Sequence, residues 1–252
     1  RWRMFWNAVC STKIFYPKRK EMNESLLYLL VDVACIGFPF LASFFPQNAF
    51  YKDWKFVFPA ILSVAVFFLI WDYLFTEAGI WGFNPVYLTG MYLINLPIEE
   101  VLFFICVPYA CIFTYFAIKF HIKKDPFAKI NHIITIILAI ALLVIGLATF
   151  GRWYTSVTFI VTGIYLLVVF FRKWDVSYLY FSYLAIIPLF LLSNGVLTGS
   201  FTEAPIVWYN DEFNLGRRIF TIPVEDLFYG FLLVMLNIQL YRRFKLKYSL
   251  RP

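Results

Sequence analysis

The sequence is poor in charge. Asp, Glu, Lys and Arg make up 15% of its 252 residues and hydrophobic types 62%, where a soluble domain carries about 25% charged and 45–50% apolar residues. That balance excludes an ordinary water-exposed globule. Histidine is scarcer still. His121 and His132 are the two present, both near a basic loop and without metal-ligand partners, so no metal site is expected. Cys10, Cys35, Cys106 and Cys111 show no CxxC spacing, and three lie in or near apolar runs. Free thiols fit this pattern better than a disulfide framework. There is no GxGxxG after a strand-like run, no P-loop, no HExxH and no DDxxD-type stretch. Dinucleotide folds, nucleotide hydrolysis, zinc proteolysis and magnesium–diphosphate chemistry therefore lack their usual residues.

What the chain has is long apolar runs and a mean hydropathy of +0.75. Seven runs approach the ~20 residues that a spanning helix needs: 25–45, 56–75, 91–118, 131–150, 156–171, 177–198 and 219–241. They are apolar all round, so length rather than periodicity identifies them. The expected fold class is all-α, a polytopic integral membrane protein of about seven transmembrane helices. Tyr51, Trp54, Trp153, Trp174 and Tyr241 stand near run ends, as interfacial anchors do.

The net charge of +7 needs no nucleic acid to explain it, because Lys and Arg gather in tails and short loops. Loops 46–55, 119–130 and 172–176 and the C-terminal tail hold thirteen of them; loops 76–90, 151–155 and 199–218 hold only Arg152, Arg217 and Arg218. The positive-inside rule then places the C-terminus in the cytoplasm, with the bacterial inner membrane as the expected location. Six basic residues within 1–24 argue the other way. That segment reads as a basic tail, with Met22 a candidate natural start and residues 1–21 a candidate extension.

Two stretches break the apolar pattern. Pro97-Ile98-Glu99-Glu100 and Pro223-Val224-Glu225-Asp226 each set a carboxylate pair inside an apolar run, where ionisable residues are costly and mark function by default. They stand 126 residues apart. At that offset Phe75-Thr76-Glu77-Ala78 recurs as Phe201-Thr202-Glu203-Ala204, Asn84 meets Asn210, and Gly90 meets Gly216. Nine identities in thirty aligned positions, several of them polar, indicate an internal repeat. Three spans per repeat, joined by the fourth, make the repeats parallel and related by an axis along the membrane normal. The organisation expected is a tail at 1–24, a first repeat at 25–120, a connecting helix at 121–150, a second repeat at 151–246 and a tail at 247–252.

With spans beginning near Met91 and Ile219, Glu99 would lie ~12 Å and Glu225 ~9 Å along their helices. A plainer alternative exists, since proline and acids both favour a helix's first turn. Two copies in register inside apolar runs go beyond it. Buried, clustered carboxylates divide into protonated and ionised members, and such a pair is an acid and a base. Asp32 and Asp72 also fall within spans. Aromatic residues form 22% of the chain, and Trp71, Trp81, Phe83, Phe103, Phe104, Trp208, Tyr209 and Tyr229 flank the motifs. Lipid-facing bulk accounts for most aromatics in such a protein; those near an acid site would stabilise a cation with their faces.

Trp81-Gly82-Phe83-Asn84-Pro85, Asn95-Leu96-Pro97-Ile98-Glu99-Glu100 and Pro223-Val224-Glu225-Asp226 resemble the membrane-embedded carotenoid (lycopene) cyclases. These occur as two-subunit bacterial enzymes and as the cyclase domain of fungal bifunctional cyclase–phytoene synthases. The likeness spans about residues 22–245 and joins both halves in one chain, with no phytoene synthase segment. It implies an isomerisation of lycopene. An acid protonates the terminal double bond, the C5–C6 double bond closes a six-membered ring on the cation, and a base removes a ring proton to give a β-ionone end. It implies catalytic carboxylates at Glu99, Glu100, Glu225 and Asp226, with Glu99 and Glu225 central and Glu100 and Asp226 tuning or sharing the proton. Pro97, Pro223, Asn84 and Asn210 are motif residues. Trp71, Asp72, Trp81, Phe83, Phe103, Phe104, Trp208, Tyr209 and Tyr229 are candidates to line the substrate. No cofactor is implied. The partners are a lipid-soluble polyene, membrane lipid and other carotenoid enzymes, not nucleic acid. The alternative from a different class is a proton-coupled transporter, which parallel repeats and intramembrane acids also suit.

Overall fold

The computed structural model describes residues 24–47 and 49–249; most of the basic N-terminal tail lies outside them. Among the described residues, seven helices are long and apolar enough to cross a membrane: α1 (Leu27–Ala42), α2 (Trp54–Glu77), α3 (Ile98–His121), α4 (Asn131–Ala148), α5 (Trp153–Phe171), α6 (Ser177–Leu197) and α7 (Val224–Ser249). The protein is a multi-pass, all-α membrane protein. Prolines sit inside α1, α2, α3 and α6, and hydroxyls bond carbonyls at two of them. Ser43 donates to the Pro39 carbonyl at 2.6 Å and Ser63 to that of Pro59 at 2.7 Å, the back-bond that a helical serine makes to the carbonyl four residues before it.

The starts of the third and seventh spans differ from expectation. Residues 91–97 and 218–223 are not helical. Each region is a tight hairpin: β2 (Tyr92–Leu93) with β3 (Leu96–Pro97), and β5 (Arg218–Ile219) with β6 (Ile222–Pro223). Glu99 and Glu225 therefore stand in the first helical turn, not ~12 and ~9 Å along a helix. A short apolar run does not distinguish strand from helix. What decides is the turn. Ile94 and Phe220 hold left-handed φ values of 60° and 56°, which a helix does not accommodate.

The repeat is visible in every part of this layer. A third strand pair joins the two halves: β1 (Trp81–Phe83) runs antiparallel to β4 (Val207–Tyr209), with Gly82 opposite Trp208. Strands equivalent at offset 126 pair with each other, as a two-fold axis through their midpoint requires. The pairing continues symmetrically, with Asn84 N–H donating to Ile206 O at 2.8 Å and Asn210 N–H to Ile80 O at 2.9 Å. Gly82 permits the approach. A Cβ there would stand 2.5 Å from the Trp208 ring.

Helix packing obeys the same symmetry. α1 packs on α3 and α5 on α7, while α2 packs on α7 and α6 on α3. The second helix of each half thus braces the third helix of the other. α4 lies against α5. On the face opposite the strands, Asp53 accepts from Tyr241 and Lys245, each at 2.5 Å, tying the start of α2 to the end of α7.

Candidate active site

The acid pairs are presented by the hairpins. Gly90 and Gly216 take positive φ, 88° and 65°, a conformation open to glycine, and turn the chain into each hairpin. Pro97 is the extended residue before α3, with φ −65° and ψ 150°. Its acids then fall in the first turn, where the helix dipole favours negative charge. No side chain caps α3 at this end; both carboxylates reach outward to other segments instead.

The first acid of each pair holds a loop. Glu99 accepts from Thr89 N–H at 2.6 Å and Glu225 from Leu215 N–H at 2.7 Å, positions again 126 apart. Thr155 adds a 2.5 Å bond to Glu225. Both carboxyl groups are wholly buried, and the second oxygen of each has no partner among the described residues. Asn84 and Asn210 act alike, accepting from Val86 and Glu212 N–H two residues on. These are turn-forming roles.

The second acid of each pair faces a cavity of about 610 Å³. Glu100 Oε2 accepts from the Tyr28 hydroxyl at 2.5 Å. Asp226 accepts from three donors: the Tyr154 hydroxyl, Asn194 Nδ2 at 2.7 Å and the Tyr209 hydroxyl at 2.9 Å. Asp72, on the same cavity, accepts from Trp81 Nε1 at 2.5 Å. Tyr209 lies in the strand layer, outside the spanning helices. Burial first, and then the charge of Asp226, hold its hydroxyl well above the ordinary tyrosine value. It is therefore a permanent donor at neutral pH.

Of the sequence-nominated aromatics, Trp81, Phe83, Phe103, Tyr209 and Tyr229 line the cavity. Trp71 and Phe104 are buried behind that lining, in one aromatic cluster with Phe68, Trp81 and Tyr229, and Trp208 lies over Gly82. Three residues that sequence reasoning passed over are central: Tyr28, Tyr154 and Asn194. The tyrosines had a signal, since extending the repeat upstream places Tyr28 on Tyr154. Asn194 had none, because its repeat equivalent is Phe68.

Two repeat-related helix starts, each delivering one carboxyl group to a shared apolar chamber inside a membrane bundle, define a class: a repeat-built membrane protein with a buried acid pair. Residues 25–118 and 151–244 each match the model of the lycopene cyclase family, the two matches offset by the same 126 residues as the motifs. The chain belongs to that family, with both halves in one polypeptide. Neither a curated protein nor a solved structure matches it.

Proposed function

We propose that this protein cyclises the linear ψ-ends of lycopene to β-ionone rings by proton addition and removal. The observation that carries the reading is the convergence of Glu100 and Asp226, one from each half, on a single apolar cavity walled by aromatic side chains. Membership of the lycopene cyclase family supports the substrate class. The acid/base pair is assigned to Glu100 and Asp226, with Glu99 and Glu225 as the residues that position their hairpins.

The hydrogen bonds support a division of roles. Asp226 accepts three, the setting of a carboxylate that bears charge. Glu100 accepts one, from Tyr28, and suits the group that delivers a proton. Glu100 protonates C2 of the terminal double bond and leaves a cation at C1. The C5–C6 π pair closes the C1–C6 bond and moves the cation to C5. Asp226 then removes the C6 proton, forming the C5–C6 double bond of the β ring. Atoms and electrons balance with no redox change. Trp81, Phe103 and Tyr229 stand around the cation with their π faces and keep water out.

The same reading places the enzyme in a cell membrane with its basic loops and C-terminus on the cytoplasmic side, beside the enzymes that make its polyene. Expression in lycopene-accumulating cells tests it. Pigment should shift from red to orange-yellow, with monocyclic and bicyclic products on chromatography. Unchanged lycopene with the protein inserted in the membrane would remove the cyclase reading.

A further inference from the structure

A two-fold repeat should build two clefts, and among the described residues the one between α1, α3 and α6 stands open. Between their repeat equivalents α5, α7 and α2 the space is filled. The difference lies in a few side chains at equivalent positions. Gly230 and Asn194 border the open cleft. Their counterparts at offset 126 are Phe104 and Phe68, both buried, with ring centroids 5.8 Å apart. Phe68 also meets Trp71 and Tyr229. One half carries an aromatic plug where the other carries a glycine and a short amide.

The open cleft is long and has its mouth on the bundle's side. On α3 its lining runs from Glu100 through Val107 to Thr114, fourteen residues or ~21 Å of helix. Trp81, Phe83, Val207 and Tyr209 of the paired strands roof its carboxylate end. The exposed lining residues lie elsewhere: Phe38 on α1 is 71% exposed, and Leu189 and Leu192 on α6 are 63% and 59%. These side chains face the hydrocarbon region, where a spanning helix meets only lipid. Across the mouth, the Ser193 hydroxyl of α6 faces the Cys35 thiol of α1.

We propose that the substrate's hydrocarbon chain passes sideways between the bilayer and the cavity through the gap between α1 and α6, and that Gly230 leaves this cleft alone of the two open. This inference rests on the cyclase reading and adds the route and the number of sites. One polyene end reaches Glu100 and Asp226 while the remainder lies in the cleft and the lipid. A two-ended substrate is therefore cyclised one end at a time, with the chain leaving and returning reversed.

The thiol already present on α1 supplies the test. In the full-length membrane-embedded protein, Ser193→Cys places a second thiol opposite Cys35, and the pair is joined by oxidation or by bis-methanethiosulfonate linkers of increasing length. Unlinked S193C should cyclise lycopene. The shortest link should remove at least nine-tenths of the rate, longer linkers should restore it in steps, and reduction should restore it fully. Oxidised wild-type protein should be unaffected. A linked protein that cyclises at the unlinked rate overturns the route. Failure of every reagent to join residues 35 and 193 overturns it too, since the helices would not flank a common gap. If unlinked protein never cyclises lycopene, the cyclase reading itself has failed, a result distinct from both.

Discussion

Tyr28 and Tyr154 stand at equivalent positions of the two halves, and each gives its hydroxyl to the acid 72 residues further along, Glu100 and Asp226 respectively. The same bond made twice locks the first helix of each half to the third. It also shows where the symmetry ends. Asp226 has two further donors in Asn194 and Tyr209, whereas the positions equivalent to those are Phe68 and Phe83, which donate nothing. The acid and base roles assigned above rest on that inequality.

The two members of each acid pair should separate by mutation. Glu100→Gln and Asp226→Asn remove the proposed proton-transfer groups and should lower turnover by about 10²–10⁴ with normal membrane insertion. Glu99→Gln and Glu225→Gln retain a carbonyl oxygen for the Thr89 and Leu215 N–H groups, so turnover should fall less than about tenfold, a small fraction of the general acid–base term. Product formation per inserted protein reads both. The reverse ranking would move the chemistry to Glu99 and Glu225.

Removing the tyrosine donors should have unequal effects. Tyr28→Phe strips Glu100 of its hydrogen bond, and a buried polar group left unsatisfied costs about 1–3 kcal/mol. Tyr154→Phe leaves Asp226 with Asn194 and Tyr209. Thermal stability and turnover should both fall more in Y28F than in Y154F. Equal losses would mean that the three donors at Asp226 are not shared reserves.

Gly230 should tolerate a methyl group and not a ring. A Cβ there would stand 3.5 Å from the Phe190 ring and 3.7 Å from the Tyr183 hydroxyl, ordinary contact distances, so Gly230→Ala should retain most activity. Gly230→Phe reproduces the plug formed by Phe104 and should abolish turnover in protein that still inserts. Retained activity in G230F would show that the cavity beside Gly230 is not where the polyene lies.

The strand layer should loosen in acid. The Asn214 amide and then the Arg218 guanidinium hold Asp211 below the ordinary carboxylate value, with bonds of 3.0 and 2.6 Å. A depressed folded value means that this contribution is complete above the unfolded value near ~4. It is lost as pH falls through the lower folded value. Protection factors for hydrogen exchange across 211–221, taken against the intrinsic rate at each pH, should therefore fall below about pH 4, and Asp211→Asn should remove most of that dependence. Protection factors insensitive to pH in the unsubstituted protein would refute it.

Topology is open to a direct check. A reporter fused after Pro252 should read as cytoplasmic, because the loops on that side carry most of the Lys and Arg. A read-out on the opposite side would reverse the orientation and place the paired strands in the cytoplasm.

Hydrophobic run length determined the membrane class and the number of spans, because burying a spanning backbone leaves little choice but a helix. A constant offset of 126 determined the repeat, because equivalent positions carry equivalent turns and caps, as Asn84 and Asn210 do. That motif carboxyl groups would meet in the candidate site was also legible, since acids in apolar runs are rare. Three things waited for the tertiary structure. One was the start of α3 and α7, because apolar residues before a motif fit strand and helix equally. Another was which acid meets the cavity, because neighbouring positions on a helix point about 100° apart, and only the packing of α1 and α5 sets which faces inward. The last was that one cleft is open and the other filled. Phe104 and Gly230 differ by a ring whose consequence depends on what stands opposite, and no local pattern records a contact made across the bundle.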